Sequence, residues 1–174
     1  VATISCPSDQ LTREGVLDVH QEAEQLRQVP IFSKLDPSKL KLLAFTSEAV
    51  AFNDNEFLFH VNEPSDCIYV ILDGKVEILA EMEDGSSVVV LTMNQNTLIG
   101  ELGALRNTPR SATVRAKGAV RALRIGNDLF LQLVSENSSV ALDIMRQLSD
   151  KLANTHLQLE DAQRRVQHLE HPTK

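Results

Sequence analysis

The sequence predicts an α+β protein: an eight-stranded antiparallel β jelly roll, or double-stranded β-helix, flanked by N-terminal helices and by one long C-terminal helix. Two observations predict it. Between Val50 and Ile125, short runs rich in Val, Ile and Phe alternate with turn-forming residues, while on either side apolar residues recur every three or four positions. A third observation bounds the size, since 174 residues at 43% hydrophobic and 24% charged suffice for one core and an extra element. Seven glycines and six prolines are too few for a linker-rich chain, and no apolar run approaches the roughly 20 residues of a membrane span. Seventeen basic against twenty-four acidic residues give −7, so direct binding of nucleic acid by this chain is not expected.

Taken in order, Val16, Val19, Ala23 and Leu26 follow the period of an amphipathic helix over residues 14–29, which Pro30 stops. Asp36-Pro37-Ser38 sets an N-cap with proline at the first helical position and opens a short helix through about Phe45. The β block then follows, punctuated by Asn53-Asp54-Asn55, Asn62-Glu63-Pro64, Asp73-Gly74, Asp84-Gly85 and Lys117-Gly118. Its alternation is clearest where Ala112, Val114 and Ala116 interleave with Thr113, Arg115 and Lys117. These patterns divide the chain into an N-terminal helical segment 1–49, a β-roll 50–126 and C-terminal helices 127–174.

A short helix is expected over 127–134, then a long one from Ser139 to about Leu169. Met145, Leu152, Leu159 and Val166 fall at a positions, and Leu148, Thr155, Ala162 and Leu169 at d positions. So narrow a seam predicts a parallel homodimer; packing of its first half on the β-roll is the alternative. Cys6 and Cys67 lie in no metal-binding spacing and read as free thiols in a reducing, cytoplasmic compartment. Residues 1–13 carry neither a basic start nor an apolar signal core, and the chain begins with Val1, so a piece of a longer protein is expected.

One stretch carries chemistry. From Arg106 to Arg124 there are six basic residues, Arg106, Arg110, Arg115, Lys117, Arg121 and Arg124, and no acidic one. Preceding them, Gly100-Glu101-Leu102 opens a short helical piece, and exposed N–H groups beside an arginine form a cradle for a phosphate-sized anion. For Arg115, Lys117, Arg121 and Arg124 a solvated strand face is the better reading; Arg110 stands apart.

Gly100-Glu101-Leu102, followed at a spacing of ten by Arg110 in Pro109-Arg110-Ser111-Ala112-Thr113-Val114, closely resembles the phosphate-binding cassette of the cyclic nucleotide-binding domain family. Within that family the likeness is to bacterial catabolite activators and to the regulatory subunits of cAMP-dependent protein kinases, over about residues 28–165. Asp73-Gly74-Lys75-Val76 resembles the family's hairpin glycine before a core valine, and Asp66 falls where the family often has an acid. The resemblance implies that Arg110 pairs with the cyclic phosphate, that Glu101 accepts the ribose 2′-hydroxyl, and that Gly100 lets the backbone approach the sugar. It also implies amides near Leu102, Gly103, Ser111 and Ala112 in the anion shell. Ser111 does not decide between cAMP and cGMP, but gap-free alignment to the activators lays Thr155 on a threonine that contacts the adenine amino group, so cAMP leads. Ile78, Val90 and Met93 are expected as purine walls.

Departures matter too. Asn55, Asn62 and Asn96 stand at turns where the family usually has glycine, His156 stands where the activators have a serine, and no helix-turn-helix follows Leu169. The expected function is a non-enzymatic sensor whose ligand shifts the C-terminal helix and so an effector outside this chain. Two rivals are a cGMP-binding regulatory domain and a ligand-free dimerisation module. A metalloenzyme of the same fold would need clustered ligands, and His20, His60, His156, His168 and His171 are scattered. Neither a cofactor nor a metal is expected.

Overall fold

The computed structural model describes residues 19–82 and 84–170, with side chains through 165. The expectations for Cys6, Val16, His171 and the side chains of Val166, His168 and Leu169 lie outside the described residues. Helix α1 (Val19–Gln28) and α2 (Pro37–Thr46) flank a 3₁₀ turn at Pro30–Phe32, so Pro30 both ends one helix and starts the next turn. Asp36 is the N-cap of α2, without a side-chain cap bond.

Six strands follow: β1 (Glu48–Phe52), β2 (Phe57–Phe59), β3 (Cys67–Glu81), β4 (Ser87–Asn94), β5 (Leu98–Ile99) and β6 (Thr113–Gly126). They form one antiparallel sheet in the order β1-β6-β3-β4, with β2 also on β6 and β5 also on β3. The count is six rather than the expected eight because two of the turn signals are bends inside continuous strands. Gly74, at φ 88°, absorbs register shifts of β3 against β6, and a Cβ there would strike the Ala119 carbonyl. On its other edge β3 pairs with β5 before this bend and with β4 after it; β6 pairs with β2 before Gly118 and with β1 beyond it. Asn55, Asn62 and Asn96 all take positive φ, as their turn positions require.

Cys67–Leu72 is buried on both faces. Alternation sends Ile68 and Val70 into a core with Leu26, Phe32, Leu40, Leu123, Ile125 and Phe130 under the helices, while Cys67, Tyr69 and Ile71 enter a second core with Phe59, Val76, Ile99 and Val114. Helix α3 (Glu101–Arg106) bridges β5 and β6; α4 (Asn127–Glu136) and α5 (Ser138–Glu170) end the chain.

Among the described residues, the apolar anchor of helix α5 lies at its start. Val140 and Ile144 are buried, Leu148 packs on the same core, and Asp143 takes Lys34 at 3.0 Å and Arg146 at 2.7 Å. Those two cations hold the Asp143 carboxyl below its ordinary range, the Lys34 hydrogen bond contributing most. Of the expected seam, Met145, Leu152 and Leu159 are exposed, at 54%, 72% and 55%. Among the described residues no helix is long and apolar enough to cross a membrane.

Candidate functional site

Between β5 and β6 the backbone makes two left-handed steps, at Gly100 (φ 89°) and Asn107 (φ 51°), which start and stop α3. Gly100 is required by its torsion, and the room its missing Cβ leaves is taken by Arg110 Nη1. Gly103 has a different reason: a Cβ would collide with Ser65 and lie 3.0 Å from the Thr108 carbonyl oxygen, so it packs α3 on the β2–β3 loop. The same loop clamps Arg110 from both sides, the Arg110 N–H donating to Glu63 O at 2.8 Å and the Asn62 N–H to Arg110 O at 2.9 Å.

This scaffold brings two charged side chains out of water. Glu101 is 4% exposed and Arg110 3% exposed, and both line one cavity of about 360 Å³, within the range of small-molecule sites. Arg110 donates from Nη1 to the Gly100 carbonyl at 3.5 Å and from Nη2 to Cys67 Sγ at 3.3 Å. Its Cζ stands 4.1 Å from the Phe59 ring centroid, and its Nε is buried without a hydrogen-bond partner. Glu101 accepts from Lys151 Nζ of α5 at 2.5 Å. A carboxylate offers about four acceptor positions over two oxygens, so this ammonium does not exhaust it.

The expected residues Gly100, Glu101, Leu102, Gly103, Arg110, Ser111, Ala112, Ile78, Met93 and Thr155 all line this cavity. Val90 does not. The β3–β4 register slips between Ile78 and Leu79, leaving Val90 unpaired and 53% exposed, and Leu91, opposite Ile78, takes the wall instead. Thr155 is exposed and its hydroxyl donates to the Lys151 carbonyl at 2.8 Å, which leaves its lone pairs as acceptors toward the cavity. Unforeseen from sequence are Phe59, Ile99, Val114, Lys151, Asn154 and Gln158 in the lining, and Cys67, which meets Arg110 beneath it. Lys151 and Gln158 sit four before and three after Thr155, so helical spacing alone carried a signal for them, while Asn154, its immediate neighbour, had none. Nothing local to Phe59 or Cys67 carried one.

Arg115, Lys117, Arg121 and Arg124 of the basic run are engaged elsewhere. Arg115 and Lys117 pair with Glu77 at 2.7 and 3.0 Å, and these hydrogen bonds, Arg115's foremost, hold the Glu77 carboxyl below its ordinary range. Arg124 pairs with Asp66 at 3.0 Å and Glu48 at 3.5 Å, and Arg121 acts on the buried carboxyl of Glu22, which burial raises. Tyr69 stays a neutral phenol, pushed up to about 12 by burial and then by Cys67. A second cavity, of about 570 Å³, lies between the 3₁₀ turn, the β4–β5 loop and α5; it shares Met93, Lys151 and Asn154 but touches neither Glu101 nor Arg110.

Residues 49–137 match the family model of the cyclic nucleotide-binding domain. Over 109 residues the chain is 29% identical to a cAMP-dependent protein kinase regulatory subunit of Blastocladiella emersonii, covering 63% of this chain and 27% of that protein. Over 138 residues it is 27% identical to a CRP-like cAMP-activated global transcriptional regulator of Mycobacterium tuberculosis, covering 79% and 62%. The chain thus spans less than two thirds of either relative. The Thermus thermophilus catabolite activator protein shares the fold, at a TM-score of 0.67, 21% identity, and coverage of 77% of this chain and 63% of that one.

Proposed function

Because the chain belongs to the cyclic nucleotide-binding domain family, we propose that it is a non-enzymatic cAMP sensor which relays ligand binding through α5 to an effector. The observation that carries this reading is the pair of buried, opposite charges, Glu101 and Arg110, facing one cavity of nucleotide size. Arg110 supplies the cation for the singly charged cyclic phosphate, and its unpartnered Nε–H is one donor awaiting an acceptor. Glu101 takes the ribose 2′-hydroxyl, and its charge repels nucleotides carrying extra phosphate. Gly100, Leu102, Gly103, Ser111 and Ala112 complete the cradle, Ile78, Leu91 and Met93 flank the purine, and Thr155 meets the adenine amino group. Charge arithmetic supports a monoanion: Arg110 and Lys151 against Glu101 leave one positive charge for the ligand to neutralise.

A ligand shifts an equilibrium only through contacts that differ between two states. Here α5 forms one wall of the cavity through Lys151, Asn154, Thr155 and Gln158, so its position is what the ligand biases. Two copies pairing along α5 would bury Leu152 and Leu159 and transmit the shift across a homodimer. The test is calorimetric titration with cAMP, cGMP and inorganic phosphate. Saturable binding of cAMP, tighter than cGMP and without uptake of phosphate, is expected; no heat from any cyclic nucleotide at millimolar concentration defeats the proposal.

A further inference from the structure

We infer that Phe59 is a positioning residue which holds the Arg110 guanidinium aimed into the cavity while leaving its N–H donors for the ligand phosphate, an inference that rests on the functional reading above. A guanidinium taken out of water ordinarily needs a close carboxylate, because desolvating the charge is costly. Arg110 is 3% exposed, yet Asp66 stands 3.8 Å from its Nη2 and is held more closely by Arg124, at 3.0 Å. The hydrogen bonds that remain are weak: one goes to a thiol sulfur, a poor acceptor, at 3.3 Å, and the other to a carbonyl at the long distance of 3.5 Å. Against this background the Phe59 ring, 4.1 Å from Cζ, is the contact that acts on the charge without using an N–H.

The chemistry of that contact suits a binding arginine. The negative face of an aromatic ring attracts the cation through its quadrupole and occupies none of the N–H groups. A carboxylate in bidentate hydrogen bonds with the guanidinium would occupy its donors and compete with an incoming phosphate. Phe59 is itself fixed, its ring stacked on Tyr69 at 6.0 Å and 26°, so it presents a rigid plane to the guanidinium. Arg110 is thereby oriented with hydrogen-bonding capacity to spare, which lowers the cost of ordering it on a ligand.

The test replaces Phe59 with phenylalanines carrying one, two and three ring fluorines, which withdraw charge from the ring face with little change of shape, and titrates each full chain with cAMP. The dissociation constant should rise stepwise, to about tenfold for the trifluoro ring. The same series at Phe52, which contacts Tyr69 edge-on at 6.0 Å, should be flat. A flat series at Phe59, or an equal slope at Phe52, makes the ring a packing wall and overturns the inference alone. A wild-type chain that takes up no cyclic nucleotide overturns the functional reading and this inference with it.

Discussion

The two walls of the cavity are built on opposite principles. The cassette wall carries its charges buried, Glu101 at 4% and Arg110 at 3% exposure, clamped by glycine-dependent turns and by backbone bonds from the β2–β3 loop. The α5 wall carries Asn154, Thr155 and Gln158 on a helix whose flanking Leu152 and Leu159 are exposed, and its described ionic tie to the cassette is Lys151 on Glu101. Preorganised buried groups supply affinity, because little is lost in ordering them. A loosely held element supplies response, because a modest differential contact can move it.

The most severe way to break this division is Arg110→Ala, expected to cost roughly two to three orders of magnitude in cAMP affinity, the loss of two charge-assisted hydrogen bonds, with the melting transition retained. Unchanged affinity in calorimetry would move phosphate recognition elsewhere. Lys151→Met tests the tie between the walls. It leaves Glu101 buried without its cation, so cAMP affinity should fall about tenfold and discrimination against 2′-deoxy cAMP should shrink, while Lys151→Arg restores both. Tighter binding by Lys151→Met would instead make the ion pair a competitor of the ribose.

Smaller effects sharpen the α5 side. Thr155→Ala should lower the cAMP preference over cGMP about threefold to tenfold, read from paired titrations; equal loss for both would make the hydroxyl structural. Leu152→Lys combined with Leu159→Lys should leave cassette affinity within about twofold while sedimentation shifts from dimer to monomer. Least of all, acid should loosen the start of α5 through Asp143. Its folded-state carboxyl titrates below its unfolded value, so the stabilisation is full above the ordinary carboxylate range and fades as pH falls through the lowered value. Asp143→Asn should flatten that part of the pH dependence of thermal melting.

Much of this was written in local sequence, for stated reasons. Left-handed turns accept few residues, so Asn55 and Asn62 announced themselves as turn residues. A helix repeats its face every three or four residues, so α5 was predicted at almost its observed length, Ser138–Glu170. Glu101, the first residue of α3, and Arg110, beyond its end, were paired by their likeness to a known cassette, and both line one cavity.

Other features depended on residues that meet only after folding. A turn signal cannot say whether a glycine closes a hairpin or bends a strand, and pairing with β6 across the bend made Gly74 the second kind. One bulge in β4 exchanged Val90 for Leu91, because a slip of one residue reverses which side chain faces inward. Phe59, Cys67 and Lys151 reach the cassette from β2, β3 and α5, separated from Arg110 by about 40 residues or more along the chain. Local sequence thus determined the helices and the turns, since both follow from short-range geometry, and a motif likeness singled out the two charges of the site. Packing alone decided what surrounds those charges, since contact energies depend on distance in space and not along the chain.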